Sequence, residues 1–189
     1  TAVFGMALKT YTGADKSLFA TIYNGRSDSR TSRSVTMLVK TLPVLLEAHT
    51  NDTVVKYITE CQNYLINAMA NDIVSFSELS SSYGLDSDIL FAYQGEGDDD
   101  VVLDGKKATE VSVDLDQEKS PFGLDISIQD DNVIYDFECD DAKYGTFTID
   151  RFSELLDVII DGFISKSSMA EVMNIEAVKK LTKESTSSS

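Results

Sequence analysis

One histidine, His49 in the run Glu47-Ala48-His49-Thr50, is the side chain best suited to trade a proton near neutral pH. A triad would need a nucleophile beside it and a third group to orient it. No Gly-x-Ser-x-Gly elbow accompanies it, so a surface histidine in the loop before a long helix is the simpler reading. The two cysteines, Cys61 and Cys139, stand far apart in the chain. With one histidine they give no zinc ligand cluster, and no metal site is expected. Cys61 falls on the apolar face of a helical pattern, where a buried structural thiol is expected rather than a nucleophile. Asp98-Asp99-Asp100 and Asp104-Gly105 lack the spacing of a calcium loop and read as solvated turns. Asp130-Asp131 and Asp140-Asp141 could pair for acid–base work, but acids are commonplace in turns. There is no Walker loop, and no Gly-x-Gly-x-x-Gly follows a strand. Motifs alone therefore assign no catalytic apparatus.

The elements that would position these groups come from a chain of 189 residues with 42% apolar content and a formal charge of −16. That is enough for a real core and excludes wholesale disorder. No apolar run approaches the roughly 20 residues of a membrane span. No basic-then-apolar opening marks a secretory signal, and with two cysteines a reduced, cytoplasmic setting is expected. Residues 1–84 hold 7 acidic and 7 basic side chains, residues 85–161 hold 22 and 5, and residues 162–189 hold 3 and 4. The acidic middle would repel a phosphate backbone, so nucleic-acid binding is not expected. Such a block can steer a partner or simply solvate a face, and the second is the plainer reading.

The chain opens inside an apolar run, Val3-Phe4-Gly5-Met6-Ala7-Leu8, that reads as the end of a helix capped by Gly13. This start reads as cut from something longer. Residues 18–23 suit a buried strand, Asn24-Gly25 a turn, and residues 26–34 an exposed polar loop. Residues 35–46 form a second strand pattern, which Pro43 confines to an edge or a bulge. Residues 51–70 give the clearest helix, capped by Asn51 or Asp52, with Val54, Ile58, Cys61, Leu65 and Met69 on one face. A short helix over 75–82 ends at Tyr83-Gly84, and a strand runs over 88–94. Residues 95–100 read as an acidic turn. Residues 101–103 and 108–115 flank the hairpin pair Asp104-Gly105. Strict alternation at Phe122, Leu124, Ile126 and Ile128, then at Val133, Tyr135, Phe137 and Cys139, predicts a second hairpin joined by 129–132. Thr148 caps a helix with Ile149, Phe152, Leu156, Ile159 and Phe163 on one face. The tail from Ser165 is weakly helical, and residues 183–189 are expected to be disordered. The order argues α+β, a mixed sheet covered by helices on one side.

Several stretches carry family information. Tyr11-Thr12-Gly13, then Leu18-Phe19-Ala20-Thr21-Ile22-Tyr23-Asn24-Gly25-Arg26, then Val35-Thr36-Met37-Leu38-Val39-Lys40-Thr41-Leu42-Pro43 resemble the condensation domains of nonribosomal peptide synthetases. There a helix ends in "RYTG", a strand in "GR", and "VGMFVNTLPLR" follows. Phe76-Ser77-Glu78-Leu79, Ile89-Leu90-Phe91-Ala92-Tyr93-Gln94 and Pro121-Phe122-Gly123-Leu124-Asp125-Ile126 resemble the family's later "YPFEXL", "PLFQVXFXYQN" and "FDLXL". Tyr135-Asp136-Phe137 and the helix from Thr148 fit its ending. The pieces keep the family's order up to the serine tail. Thr36 and Lys40 replace the usual Gly and Asn, the Arg after the proline region is missing, and Leu45 and Leu46 stand nearby. Val74-Ser75-Phe76-Ser77-Glu78 is reduced from "HQDYPFE", and Tyr83-Gly84-Leu85-Asp86 replaces "RDXSRNPL". The chain resembles a divergent member.

The resemblance implies a chloramphenicol-acetyltransferase-like lobe over residues 1–182, the C-terminal half of a two-lobed condensation domain. The catalytic His-His-x-x-x-Asp-Gly motif of the family belongs to the N-terminal lobe and is absent here, so this half is expected to be inactive alone. The implied partners are that N-terminal lobe, peptidyl carrier protein domains bearing phosphopantetheine arms, and an adenylation domain. No cofactor is expected to bind directly, and the separated lobe could self-associate through its exposed inter-lobe face. Residues 96–119 correspond to the family's crossover between lobes. Tyr23, Asn24, Arg26, Lys40, Thr41 and Gln94 are the residues expected to face the tunnel between lobes, with no catalytic residue in this half. For Arg26 a loop-pinning salt bridge is the alternative, for Gln94 a polar strand end, and for Lys40 an exposed strand position. The competing readings are half of a related epimerisation or acyltransferase domain, and an acidic protein-interaction module.

Overall fold

The computed structural model describes residues 1–24, 35–71, 73–74, 76–84, 88–96, 102–107, 121–129, 131–140, 142 and 146–180. Helix α1 (Ala2–Thr12) ends at Gly13, whose φ of 68° is the left-handed conformation that suits glycine. The Lys9 ammonium donates to the Asp15 carbonyl at 2.7 Å, where the negative end of the helix dipole favours a cation. Strand β1 (Lys16–Tyr23) follows at once.

Strand β2 (Lys40–Glu47) pairs antiparallel with β1, from Lys16 opposite Glu47 to Tyr23 opposite Lys40. It starts five residues later than its apolar pattern suggested. Residues 35–39 are not strand, and Val35, Met37 and Val39 lie exposed. The strand is a sheet edge, as Pro43 demands. The Pro43 carbonyl accepts a hydrogen bond from the Tyr64 hydroxyl at 3.2 Å. That bond ties the edge to helix α2 (Val54–Ala70).

The cap of α2 is Thr53, not Asn51 or Asp52, and its hydroxyl accepts from the Lys56 amide at 3.1 Å. Asp52 is instead buried, and its Oδ1 takes the Lys56 ammonium at 2.6 Å. The apolar face of α2 is also rotated from the sequence expectation. Ile58 is 41% exposed, while Tyr57 is buried and rests beside α1. Tyrosine can bury its ring while its hydroxyl finds a carbonyl, here that of Ala2 at 3.4 Å.

Helix α3 (Phe76–Tyr83) ends at Gly84, and strand β3 (Ile89–Glu96) then enters the sheet beside β1 and parallel to it. A two-residue hairpin joins β4 (Val102–Leu103) to β5 (Lys106–Lys107) through Asp104 and Gly105, both at positive φ. The second arm expected over 108–115 lies outside the described residues. Strand β6 (Phe122–Gln129) pairs parallel with β3, and β7 (Asn132–Cys139) pairs antiparallel with β6. The sheet order is β2-β1-β3-β6-β7, a mixed sheet whose two inner neighbours of β3 both run parallel to it.

Helix α4 (Thr146–Ser165) begins two residues before Thr148, which lies within the helix rather than at its cap. Its buried face is Phe152, Leu155, Leu156 and Ile159. As far as residue 180 the tail is helical, as expected. Helix α5 (Met169–Met173) has a full capping box between Ser168 and Glu171, and Met169, Val172 and Val178 are buried. The expected tail at 183–189 lies outside the described residues. Phe4 of α1 stacks on Phe91 of β3 at 4.7 Å, meets Phe19 edge-on at 4.9 Å and Phe152 of α4 at 5.7 Å. This aromatic group joins α1, α4 and the sheet into one core. Cys61 is buried, and burial pushes its thiol pKa up, so it is a poor nucleophile. His49 is an exposed loop residue with Nδ1 3.8 Å from Glu47.

Candidate functional site

Parallel alignment of β1, β3 and β6 sends their C-terminal ends to one end of the sheet, where β2 and β7 begin. Tyr23 and Asn24 end β1, Lys40 and Thr41 begin β2, and Gln94 sits near the end of β3. Five of the six residues expected to line the tunnel are therefore gathered on one rim of the sheet. The sixth, Arg26, lies outside the described residues.

Tyr23 and Lys40 are the last paired rung of β1 and β2. Tyr23 is buried, whereas Asn24 and Lys40 are exposed. Lys40 and Thr41 also form part of a cleft of about 260 Å³ with Val39, Leu42, Ile73, Val74 and Phe76. One wall of it is the start of β2 and the other is the link between α2 and α3. Sequence reasoning missed Ile73 and Val74, because they belong to no periodic pattern and only the fold carries them to the strand edge. Both are exposed, at 90% and 41%, and they give the cleft an apolar lip.

Gln94 occupies a backbone irregularity. Tyr93 pairs with Ile126 and Gly95 pairs with Ser127, so Gln94 is an extra residue with no partner across the ladder. Gly95 has a φ of 72°, which a residue with a Cβ adopts only at a cost. Residues 95–96, expected in a turn, instead continue the strand beyond this bulge. Tyr93 is 59% exposed and Gln94 is exposed beside it.

A second hollow, about 570 Å³, lies between α4 and α5 with Asp161, Lys166, Glu171 and Ile175 in its wall. It holds none of the rim residues. Its Glu171 carboxylate is held low in pKa by hydrogen bonds from the Ser168 side chain and from the Ser168 and Ser167 amides. Among the described residues no group of three or more His, Cys, Asp and Glu side chains is placed to hold a metal ion. No helix among them is long and apolar enough to cross a membrane.

The family model described as the condensation domain matches residues 1–185. Among solved structures, the fold is similar to part of a four-domain nonribosomal peptide synthetase bound to AMP and glycine. That match has a TM-score of 0.75 and 10% identity, and it covers 93% of this chain and 15% of that one. A variant of the starter condensation domain of the rhizomide synthetase matches with a TM-score of 0.73 and 15% identity, over 93% of this chain and 43% of that one. The epimerization domain from the third module of tyrocidine synthetase B matches with a TM-score of 0.62 and 13% identity, over 98% of this chain and 41% of that one. The chain thus spans less than half the length of each of these structures. No curated protein matches it.

Proposed function

The chain belongs to the condensation-domain family, and from that premise we propose that it is the C-terminal half of a domain that joins carrier-bound thioesters by a peptide bond. The observation that carries this reading is the family match over residues 1–185, which takes in every described element. Coverage of 43% of a starter condensation domain supports a half-domain. In this reading the sheet rim forms one wall of the substrate tunnel, with Tyr23, Asn24, Lys40, Thr41 and Gln94 toward it, and Arg26 is proposed to serve the same tunnel.

The chemistry expected is attack of an acceptor amine on a donor thioester. Each substrate would arrive on the phosphopantetheine arm of a peptidyl carrier domain, so the arm is delivered cargo rather than a resident cofactor. The groups on the rim suit holding such cargo: an ammonium, hydroxyls, carboxamides and an apolar lip. No histidine, the commonest general base, stands among them. The general base would come from the N-terminal lobe, and the half would be inactive by itself. Its other partners would be an adenylation domain in the same polypeptide and, for the separated lobe, a second copy. A cytoplasmic setting accords with this reading.

The test compares peptide-bond formation between two carrier-loaded aminoacyl thioesters. One sample is this chain, and the other is a polypeptide that joins it to a histidine-bearing N-terminal lobe. Turnover by the joined protein alone supports the proposal; no turnover from a well-folded joined protein overturns it. The likeness to an epimerization domain, which takes in 98% of this chain, favours a second reading as half of such a domain. Inversion of a carrier-bound residue without bond formation, in the same assay, would select it.

A further inference from the structure

The bulge in β3 changes which way the strand faces. Side chains alternate along a strand, so Tyr93 and then Gly95 would share the face of Phe91, which stacks on Phe4 of α1. The inserted residue breaks that phase. Gly95 pairs with Ser127 and Glu96 with Ile128, so the strand beyond Gln94 is turned over relative to the strand before it. The ladder between β3 and β6 is otherwise continuous from Ile89 to Glu96. The irregularity thus falls at one residue, on the rim that also carries Asn24 and Lys40.

Two further features mark this residue. Gly95 at a φ of 72° gives the bulge its turn. A Cβ placed there would meet only Tyr93 Cε1, at 4.0 Å, so the glycine serves backbone conformation rather than packing. The Gln94 carboxamide has no hydrogen-bond partner among the described residues, and the neighbouring Tyr93 ring stands 59% exposed. A carboxamide presents one acceptor and one paired donor set, which is the complement of a secondary amide.

We propose that Gln94, set at the Gly95 bulge, is a substrate-recognition residue that hydrogen-bonds a secondary amide of the bound thioester. Gln94 Oε1 would accept from the amide N–H, and Nε2 would donate to its carbonyl. The proposal rests on the tunnel-wall reading above. A secondary amide could belong to the carrier arm or to a peptidyl group, and the probes separate the two. The first probe is an aminoacyl N-acetylcysteamine thioester, whose only amide is in the arm mimic. The second is an N-acetylaminoacyl ethyl thioester, whose only amide is in the acyl group. Each is paired with an isostere in which an ester oxygen replaces the amide N–H.

Binding to the joined two-lobed protein is measured by calorimetry, and turnover separately. The wild type should bind one amide probe about three- to tenfold more tightly than its ester, the worth of one net hydrogen bond. Gln94→Ala should bring that ratio to one, with the ester also weakened because it keeps the carbonyl to which Nε2 donates. Gly95→Ala, which keeps the carboxamide but opposes the bulge, should do the same. An amide preference that survives Gln94→Ala, or equal wild-type affinity for amide and ester in both probe pairs, overturns the proposal. Absence of peptide-bond formation by the wild type would instead count against the tunnel-wall reading, and the binding ratio is read independently of it.

Discussion

Phe4→Ala is the sharpest test of how α1 holds the sheet. The ring is 1% exposed, stacked on Phe91 at 4.7 Å and edge-on to Phe19 at 4.9 Å and Phe152 at 5.7 Å. Truncating a buried phenylalanine removes its transfer free energy and leaves a cavity, together about 3–5 kcal/mol. For a chain of this size each kcal/mol moves the melting temperature by about 2–4 °C, so a fall of roughly 6–20 °C is expected. Total stabilities of about 5–15 kcal/mol leave such a variant folded but marginal. Urea unfolding followed by circular dichroism would measure it. Val55→Ala on the solvent side of α2, 73% exposed, is the control and should stay within about 0.5 kcal/mol. A double-mutant cycle with Phe91→Ala should return a coupling of about 0.5–1.5 kcal/mol for the stacked pair. A Phe4→Ala loss below about 1.5 kcal/mol, with an unchanged denaturant slope, would mean that α1 does not pack on the sheet as described.

Thr53→Ala should cost about 1 kcal/mol in urea unfolding, because it orphans the Lys56 amide, while Asn51→Ala should change little. Gly13→Ala should cost about 1 kcal/mol by the same measurement, since its φ of 68° strains any Cβ. Burial raises the Tyr57 phenol, and burial with the hydrogen bond to Asp157 at 2.9 Å raises that of Tyr135. Folded values above the unfolded one mean stability that is whole below about pH 10 and is lost as pH climbs toward the raised values. In an absorbance titration Tyr57 and Tyr135 should therefore ionise late, and Tyr135→Phe should remove one late-ionising phenol. Cys61 should resist maleimide in the folded chain and react on unfolding, at a rate set by opening; fast labelling in native buffer would contradict its burial.

Much of the architecture was legible in residue order. Alternation at Phe122 to Ile128 and Val133 to Cys139 predicted the second hairpin, and Pro43 predicted an edge strand; both are found. Gly13 announced the end of α1 because no other residue tolerates left-handed backbone so cheaply. These are local constraints, set by one residue's allowed angles or a strand's period of two. What failed was set from a distance. The start of β2 depends on which residues pair with β1, and residues 35–39 lie outside the strand although four of the five are apolar. The cap of α2 falls to Thr53, while Asp52 is buried where its carbonyl accepts from the Met169 amide at 2.9 Å, a contact from the far end of the chain. Ile58 lost its place to Tyr57 because α1 offers a carbonyl to a hydroxyl.

The candidate site divides in the same way. Family resemblance in the sequence chose Tyr23, Asn24, Lys40, Thr41 and Gln94, but separate segments carry them. Their meeting at one rim follows from the parallel alignment of β1, β3 and β6, which long-range pairing alone decides. The bulge at Gln94 and the arrival of Ile73 and Val74 beside Lys40 leave no trace in periodicity. A register shift exists only between two strands, and a cleft wall exists only once a loop has been carried to it.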